Sequence, residues 1–156
     1  MKWRTLGVVA AVLAIIVAFD AWRAADIPDS NTAADHYLAI GSTAIRVEIA
    51  DTEQSRTRGL SGRSSLDPDK GMLFVFPKAN YYTFWMPDMN FPLDIIWMDQ
   101  NKIVVGVSQD LPPLQDKTKP IYYVPPKPSQ YVLEVNAGFA KKFGIKEGNA
   151  VTIESR

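Results

Sequence analysis

Residues 93–108, LDIIWMDQNKIVVGVS, carry the pattern that decides the expected fold of this chain. Two apolar segments flank the turn residues Gln100, Asn101 and Lys102, which predicts a β-hairpin. Residues 95–98 are apolar on both faces, as are residues 73–76, and strands of this kind are covered on both sides. The sheet must therefore fold over itself or be covered by other elements.

Further strand patterns lie on either side of this hairpin. Apolar and polar side chains alternate over residues 43–50, which are expected to pair with residues 37–40 around the turn Gly41-Ser42. The remaining strands are predicted at residues 71–76, 81–85, 131–135 and 150–153. The expected fold class is mainly β: a compact, barrel-like or rolled antiparallel sheet with two short helices, preceded by an N-terminal membrane helix.

The two helices and one long loop complete the pattern. Residues 52–58 are expected to form a helix with Asp51 as N-cap, Gln54 at the capping-box position and Gly59 as the residue that ends it. A second helix is predicted over residues 137–143. Proline-rich residues 111–129 disfavour both helix and central strand, which predicts a stiff loop.

The N-terminal segment has the pattern of an export signal. Lys2 and Arg4 precede an uncharged run over residues 5–19, as in a signal peptide or signal anchor. Trp3 and Trp22 bracket a stretch that, as a helix, is nearly long enough to span the bilayer core. No cleavage site with small residues follows it. We therefore expect a membrane contact through residues 3–22 and an inner-membrane anchor, with the rest in the periplasm or outside the cell. Secretion after signal cleavage is the alternative.

This pattern divides the chain into three parts. Residues 1–23 are the anchor or signal helix, residues 24–35 a flexible linker, and residues 36–156 a single β-rich globular domain.

Composition excludes several classes of function. The 156 residues hold 17 Lys and Arg, 17 Asp and Glu, one His and no Cys. Thiolate metal sites and thiol nucleophiles are therefore excluded, and no cofactor is implied. Zero net charge argues against a nucleic-acid partner, which would require a basic face.

Asp94 is the most unusual residue of the expected core. An ionised carboxylate in that apolar strand needs a partner, and Arg58, at the end of the first predicted helix, is expected to supply two parallel hydrogen bonds. Glu134 interrupts the apolar residues 131–135 in the same manner, although a strand position facing water explains it equally well. A purely structural ion pair remains the alternative interpretation of Arg58 and Asp94.

The first functional hypothesis is a non-catalytic module that binds an unknown small ligand or an envelope protein. Flat aromatic faces beside a few polar groups are typical of such sites. No catalytic residue or metal ligand is assigned. The candidate ligand-binding residues are Arg58, Trp85, Met86, Asp94, Trp97, Tyr122 and Glu134.

Two other hypotheses remain open. Asp94, Glu134 and Asp88 are acid–base candidates for an enzyme that acts on envelope glycans. Met86 and Met89 are thioether ligands that suit Cu(I), with His36 as a third ligand. Methionine beside aromatic residues is also common core filling.

A set of motifs, in order along the chain, resembles one known family. The motifs are Arg58-Gly59-Leu60, residues 71–76, Phe84-Trp85-Met86, residues 92–96, residues 131–135 and residues 144–148. Together they resemble the domain of unknown function 192, an uncharacterised bacterial and archaeal family. The resemblance implies a compact, mainly β domain that is usually exported and has no agreed activity. The chain departs from the family pattern at Pro87, Asp88 and Met89, which weakens the copper hypothesis.

Overall fold

The structure, a computed structural model, describes residues 36–114, 116 and 118–155. The expected membrane helix over residues 1–23 and linker over residues 24–35 lie outside these residues. Among the residues that are described, no helix has the length and apolar character needed to cross a bilayer.

The described chain alternates strands with two short helices. In chain order the elements are β1 (His36–Ile40), β2 (Thr43–Ala50), α1 (Glu53–Arg58), β3 (Lys70–Asn80), β4 (Leu93–Met98), β5 (Val104–Leu111), β6 (Ser129–Asn136), α2 (Phe139–Lys142) and β7 (Val151–Ser155).

The seven strands form one sheet with the order β5-β4-β6-β3-β2-β1-β7. The start of β5 approaches the start of β7, where Ile103 bridges Ala150 and the N–H of Val104 donates to the carbonyl of Asn149 at 2.9 Å. The sheet is therefore a rolled half-barrel, and the mainly β prediction with two short helices is confirmed.

The rolled sheet departs from the predicted antiparallel arrangement at one pair of strands. β2 and β3 pair in parallel, with Val47 opposite Gly71 and Ala50 opposite Phe74. Parallel neighbours need a crossover connection, and the chain between β2 and β3, which includes α1, provides it.

Side chains on the two faces of the sheet form two apolar clusters. Because neighbouring strand residues point to opposite faces, β6 contributes Leu133 and Val135 to the first cluster and Val132 to the second. The first cluster also includes Leu38, Ile45, Leu73, Ile96, Phe139 and Ala140. The second includes Leu60, Met72, Phe74, Phe84, Met86, Leu93, Ile95 and Trp97.

The first helix begins at a different cap from the one predicted. Thr52, not Asp51, is the N-cap, and its side chain accepts a hydrogen bond from the N–H of Ser55 at 3.1 Å. Ser55, not Gln54, completes the capping box by accepting from the N–H of Thr52 at 3.0 Å. The predicted end at Gly59 is confirmed, since this residue is the C-cap with a φ of 48°.

The predicted strand over residues 81–85 is wrong. β3 runs on to Asn80, whose side chain accepts a hydrogen bond from the N–H of Tyr81 at 2.9 Å and turns the chain. The ring of Tyr82 then stacks on Phe76 at 3.7 Å between centroids. The segment folds back on the end of β3, and only its isolated bridge from Phe84 to Tyr123 has strand geometry.

The second half of the domain follows the prediction more closely. The described residues between β5 and β6 form the predicted proline-rich loop, apart from the bridge at Tyr123. It packs closely on β5, because a Cβ added to Gly106 would lie 2.5 Å from Cγ of Pro126. The second helix is shorter than predicted, and Gly138 in the left-handed region precedes its first residue.

Candidate functional site

A cleft of about 350 Å³ lies beside the second apolar cluster. This volume falls in the range of small-molecule sites. Its lining comes from α1 and the turn after it, from β3, from the segment after β3, and from β6. The lining residues are Glu53, Arg56, Thr57, Arg58, Gly59, Leu60, Ser61, Phe74, Phe76, Tyr82, Thr83, Phe84, Trp85, Met86, Pro87, Met89 and Glu134.

α1 is fixed against the sheet at one side of the cleft. Nη1 of Arg56 donates to the carbonyl of Val75 at 2.8 Å and also to the carbonyl of Asp51. The same guanidinium lies 5.2 Å from the centre of the Phe76 ring, within cation–π range. Arg56 therefore holds the helix on β3 through both polar and aromatic contacts.

The turn after α1 is joined to the segment that forms the other side of the cleft. Oγ of Ser61 donates to the carbonyl of Pro87 at 2.9 Å, and the N–H of Gly62 donates to the carbonyl of Asp88 at 2.9 Å. These two hydrogen bonds keep the Met86–Met89 side of the cleft next to the helix side.

Aromatic rings form the wall of the cleft. Phe74 meets Phe84 edge to face at 5.0 Å, and Phe76 stacks on Tyr82. Trp85 is 46% exposed at the mouth. The wall follows from strand alternation, because Phe74 and Phe76 are two residues apart on β3 and share a face.

Glu134 brings a buried carboxyl to this apolar cleft. It stands on β6 opposite Met72 on one side and Ile95 on the other, and the residue is only 6% exposed. Its side chain forms no hydrogen bond or ion pair within the described part of the chain. Burial raises the pKa of Glu134 to about 8, so the carboxyl is mainly protonated at neutral pH.

The carboxyl of Glu134 is open to the cleft. Among the described residues, no buried side-chain oxygen or nitrogen that is sealed from solvent lacks a hydrogen-bond partner. Since Glu134 has no such partner and lines the cleft, its oxygens must reach the cleft surface. An unpaired polar group in an apolar wall costs free energy unless something fills its hydrogen-bonding positions.

The predicted pair of Arg58 and Asp94 is wrong. Asp94 is fully buried on the face of the first cluster, where Oδ1 accepts from the N–H of Asp110 and Oδ2 from the N–H of Ala140, each at 2.9 Å. Arg58 is exposed at the end of α1 and lines the cleft on the opposite side of the sheet. Two backbone donors, not a guanidinium, satisfy the buried carboxyl group of Asp94.

The three other aromatic and thioether candidates separate into three environments. Met86 is buried and lines the cleft. Trp97 is fully buried beneath Phe84, with ring centroids 5.3 Å apart, and Nε1 donates to Oγ of Ser108 at 3.1 Å. Tyr122 is 58% exposed on the proline-rich loop, and its ring centroid lies 6.4 Å from that of Trp85. The cleft therefore gathers Arg58, Trp85, Met86 and Glu134 but not Asp94, Trp97 or Tyr122.

The structure separates some of the residues that the glycan-enzyme and Cu(I) hypotheses would bring together. Asp94 points away from Glu134, so these two carboxyls do not flank one substrate position, and exposed Asp88 does not line the cleft. Met86 and Met89 do share the cleft, but His36 is on β1 and does not line it. Over the described residues, no group of three or more His, Cys, Asp or Glu side chains has the arrangement of a metal site.

Sequence reasoning missed several residues of the cleft. Arg56 was not singled out, nor were Phe74, Phe76 and Phe84 as parts of a site. The two-residue spacing of Phe74 and Phe76 predicts a shared face, but only the pairing of β3 with β6 shows that this face also holds Glu134.

The fold and the cleft define a class of protein: a mainly β half-barrel domain with an aromatic cleft that exposes a buried carboxyl. The chain belongs to the family of domain of unknown function 192, described as "Uncharacterized ACR, COG1430", whose model matches residues 36–153. The resemblance inferred from the motifs is thereby confirmed.

Relatives of this chain come from both archaea and bacteria. The UPF0127 protein TK1120 of Thermococcus kodakarensis is 27% identical over 112 residues, which cover 69% of this chain. The match spans 64% of the length of that curated relative.

Two crystal structures share the fold. A protein of unknown function from Novosphingobium aromaticivorans has a TM-score of 0.66 and 30% identity, over 74% of this chain and 83% of that one. A protein from Sinorhizobium meliloti, provisionally described as a transcription regulator, has a TM-score of 0.65 and 28% identity, over 78% of this chain and 92% of that one.

Proposed function

We propose that this domain is a non-catalytic module that binds a small ligand in the cleft beside Glu134. The observation that carries the proposal is a carboxyl that is 6% exposed, has no partner in the described chain and opens into an aromatic cleft. Folding such a group without a partner costs stability, and a ligand that satisfies it recovers part of that cost. Apolar walls with a few placed polar groups are the usual composition of ligand sites.

A binding role fits the cleft better than acid–base catalysis. The carboxyl groups that line the cleft in the described chain are Glu134 at its buried side and Glu53 on exposed α1. Glycoside hydrolysis needs two carboxyls on either side of the scissile bond. Asp94 is turned to the other face of the sheet, and Glu53 is exposed without a hydrogen bond or ion pair, in the described chain, that would hold its carboxyl across from Glu134.

A variant that fills the cleft tests the binding proposal. Thr83 is exposed and lines the cleft, so Thr83→Trp is expected to occupy its volume. Thr152→Trp, at an exposed position of β7 outside the cleft, is the matched control. A panel of small aromatic amines, alcohols and acids is screened by saturation-transfer NMR against the parent and both variants.

We expect compounds that bind the parent and Thr152→Trp but not Thr83→Trp. Compounds that bind all three proteins equally would place the site elsewhere, and a panel without any binder would contradict a small-ligand site of this kind.

We also propose that the module acts outside the cytoplasm, tethered by its N-terminal segment. The support is the sequence pattern alone: Lys2 and Arg4 before an uncharged run, and no good cleavage site after it. The full-length protein is expected to keep Met1 in intact-mass measurement and to fractionate with membranes. A soluble form that begins between Ala21 and Ala34 would refute the anchor.

A further inference from the structure

We propose that the ligand of this cleft is a small organic amine whose ammonium group binds the carboxylate of Glu134 while its apolar part packs on the aromatic wall. This inference rests on the proposed function and adds the chemical class of the ligand. It comes from one juxtaposition: a buried carboxyl without a partner lines the same cleft as the rings of Phe74, Phe76, Tyr82, Phe84 and Trp85.

Aromatic rings favour a cation at this position. The faces of Phe, Tyr and Trp attract ammonium and guanidinium groups, and aromatic cages recognise organic cations in this way. The wall already receives one cation, because the guanidinium of Arg56 lies 5.2 Å from the centre of the Phe76 ring. An ammonium group bound in the cleft would share it with the remaining rings and the carboxyl of Glu134.

The hydrogen-bonding capacity of Glu134 also favours an amine over a neutral acceptor. Both of its carboxyl oxygens lack partners in the described chain, and an ammonium group carries three donors, whereas a protonated carboxyl has one O–H to offer an acceptor. An amine therefore offers several charge-assisted donors to the carboxylate, whereas an alcohol offers one neutral donor and a carbonyl compound offers none. A carboxylate ligand would place like charge against Glu134 whenever that group ionises.

Other charges near the cleft are more exposed than Glu134. The titratable and charged groups that line it are Glu53, Arg56 and Arg58 on α1 and Tyr82 on the segment after β3. The strand neighbours of Glu134, Met72 on β3 and Ile95 on β4, carry no charge. Arg58 is exposed, so solvent and salt screen its repulsion of an amine, while the ion pair at Glu134 forms in a less polar setting.

Binding of the amine is coupled to release of a proton. The free carboxyl has a pKa of about 8, so at pH 7 it must give its proton to solvent before it pairs with the ammonium group, which keeps its own protons. Below this pKa the apparent affinity should fall roughly tenfold for each unit that the pH drops. Close to one proton should be released for each amine bound at pH 7.

Three probes with related phenylalkyl skeletons test the inference on the full-length protein by isothermal titration calorimetry at pH 8.5. They are 2-phenylethylamine, its neutral isostere 2-phenylethanol, and 3-phenylpropionate. We expect the amine to bind at least roughly tenfold more tightly than the alcohol, because hydrogen bonds to charged groups are the stronger ones. The acid should bind most weakly. Repeating the amine titration at pH 7 in two buffers with different ionisation enthalpies gives the number of protons released.

Glu134→Gln is the decisive variant, because it keeps the size of the side chain and removes the charge. It should weaken the affinity for the amine roughly 10- to 100-fold and change the affinity for the alcohol by no more than about twofold. Unchanged binding of the alcohol would show that the cleft is intact. Glu147→Gln, at an exposed carboxyl outside the cleft, is the matched control and should change the affinity for the amine by less than about twofold.

The outcomes separate this inference from the proposed function. Equal binding of amine and alcohol, or an amine affinity that Glu134→Gln does not change, overturns the amine inference. If the amine and the alcohol bind the parent protein but not Thr83→Trp in either case, the cleft is still a ligand site and the proposed function is supported. Failure of all three probes to bind overturns the amine inference, and the wider panel then decides whether the cleft binds any small ligand.

Discussion

Asp94 and Glu134 are two buried carboxyls on neighbouring strands that differ in whether they have partners. Asp94 is fully buried and accepts hydrogen bonds from two backbone N–H groups. Glu134 is nearly as buried but has no partner within the described chain and opens into the cleft. β4 and β6 are paired, and the two side chains point to opposite faces of the same sheet.

This difference separates a structural carboxyl from a candidate binding carboxyl. Asp94 joins the end of β5 to the start of α2, whose preceding residue, Gly138, offers no side-chain cap. It therefore replaces a cap that the local sequence lacks. Glu134 joins no other part of the described fold, and its burial is unfavourable for the folded chain alone. A buried polar group without a structural partner calls for another explanation, and a ligand provides it.

The largest expected effect is the loss of stability when Asp94 is changed. Asp94→Ala leaves the N–H groups of Asp110 and Ala140 without their acceptor, at about 1–3 kcal/mol each, so we expect a loss of about 4 kcal/mol. Asp94→Asn keeps one acceptor oxygen and should lose about half as much. Urea titration measures both values. A loss below about 1 kcal/mol for Asp94→Ala would mean that this carboxyl is not structural.

The second effect is the pH dependence that Glu134 gives to stability. The pKa of this group rises from 4.5 to about 8 on folding, so between these values the folded chain holds a proton that the unfolded chain has lost. Stability must therefore fall as pH rises, by about 1.4 kcal/mol per unit for this group, or about 3 kcal/mol from pH 4.5 to 7.

Glu134→Gln removes this dependence and serves as its control. Between pH 4.5 and 7, the free energy of unfolding of the variant should rise relative to that of the parent by about 3 kcal/mol. Urea titration at several pH values measures this difference. Parallel pH profiles for the two proteins would contradict the unpartnered state of Glu134.

A smaller effect distinguishes the cleft from the neighbouring surface. Trp85 lines the cleft and Tyr122 does not, although their rings lie close together. Trp85→Ala should weaken the binding of 2-phenylethylamine by about 1 kcal/mol, the magnitude of an exposed cation–π or aromatic contact. Tyr122→Ala should weaken this binding by less than half of that. Calorimetry on both variants makes the comparison. Equal losses would extend the site onto the proline-rich loop.

The smallest expected effect concerns Arg58. Because this residue is exposed and lies across the sheet from Asp94, Arg58→Met should change stability by less than about 0.5 kcal/mol. Its effect should add to that of Asp94→Asn without coupling. A double-mutant cycle in urea tests this, and a coupling above about 1 kcal/mol would restore the ion pair and remove the contrast between the two carboxyls.

Local patterns in the sequence predicted much of the fold. The β1–β2 hairpin and the helix end at Gly59 depend on neighbouring residues, so alternation and turn chemistry are sufficient to locate them. The parallel pairing of β2 with β3 could not be predicted in this way, because it depends on how the crossover packs. Residues 81–85 have the aromatic composition of a strand, yet the contacts of Tyr82 with Phe76 outweigh that propensity.

The site was only partly predictable for a related reason. Asp94 and Glu134 were both recognisable as polar residues in apolar strands, but the face and the partner of each depend on register. Arg58 is a suitable partner for a carboxylate in chemistry but not in position, since β4 presents Asp94 to the face opposite the cleft. Asp94 is satisfied by backbone N–H groups, and because nearly every residue has one, the sequence does not show which of them will bind it.

A pH titration of the carboxyl carbon of Glu134 by ¹³C NMR, assigned by comparison with Glu134→Gln, measures whether this carboxyl is unpartnered. We expect a single titration with a midpoint of about 8 in the ligand-free protein, and a lower midpoint once an amine is bound. A midpoint near 4.5 in the ligand-free protein would show that Glu134 is solvated or already paired, and would contradict the central claim that the cleft exposes an unpartnered carboxyl.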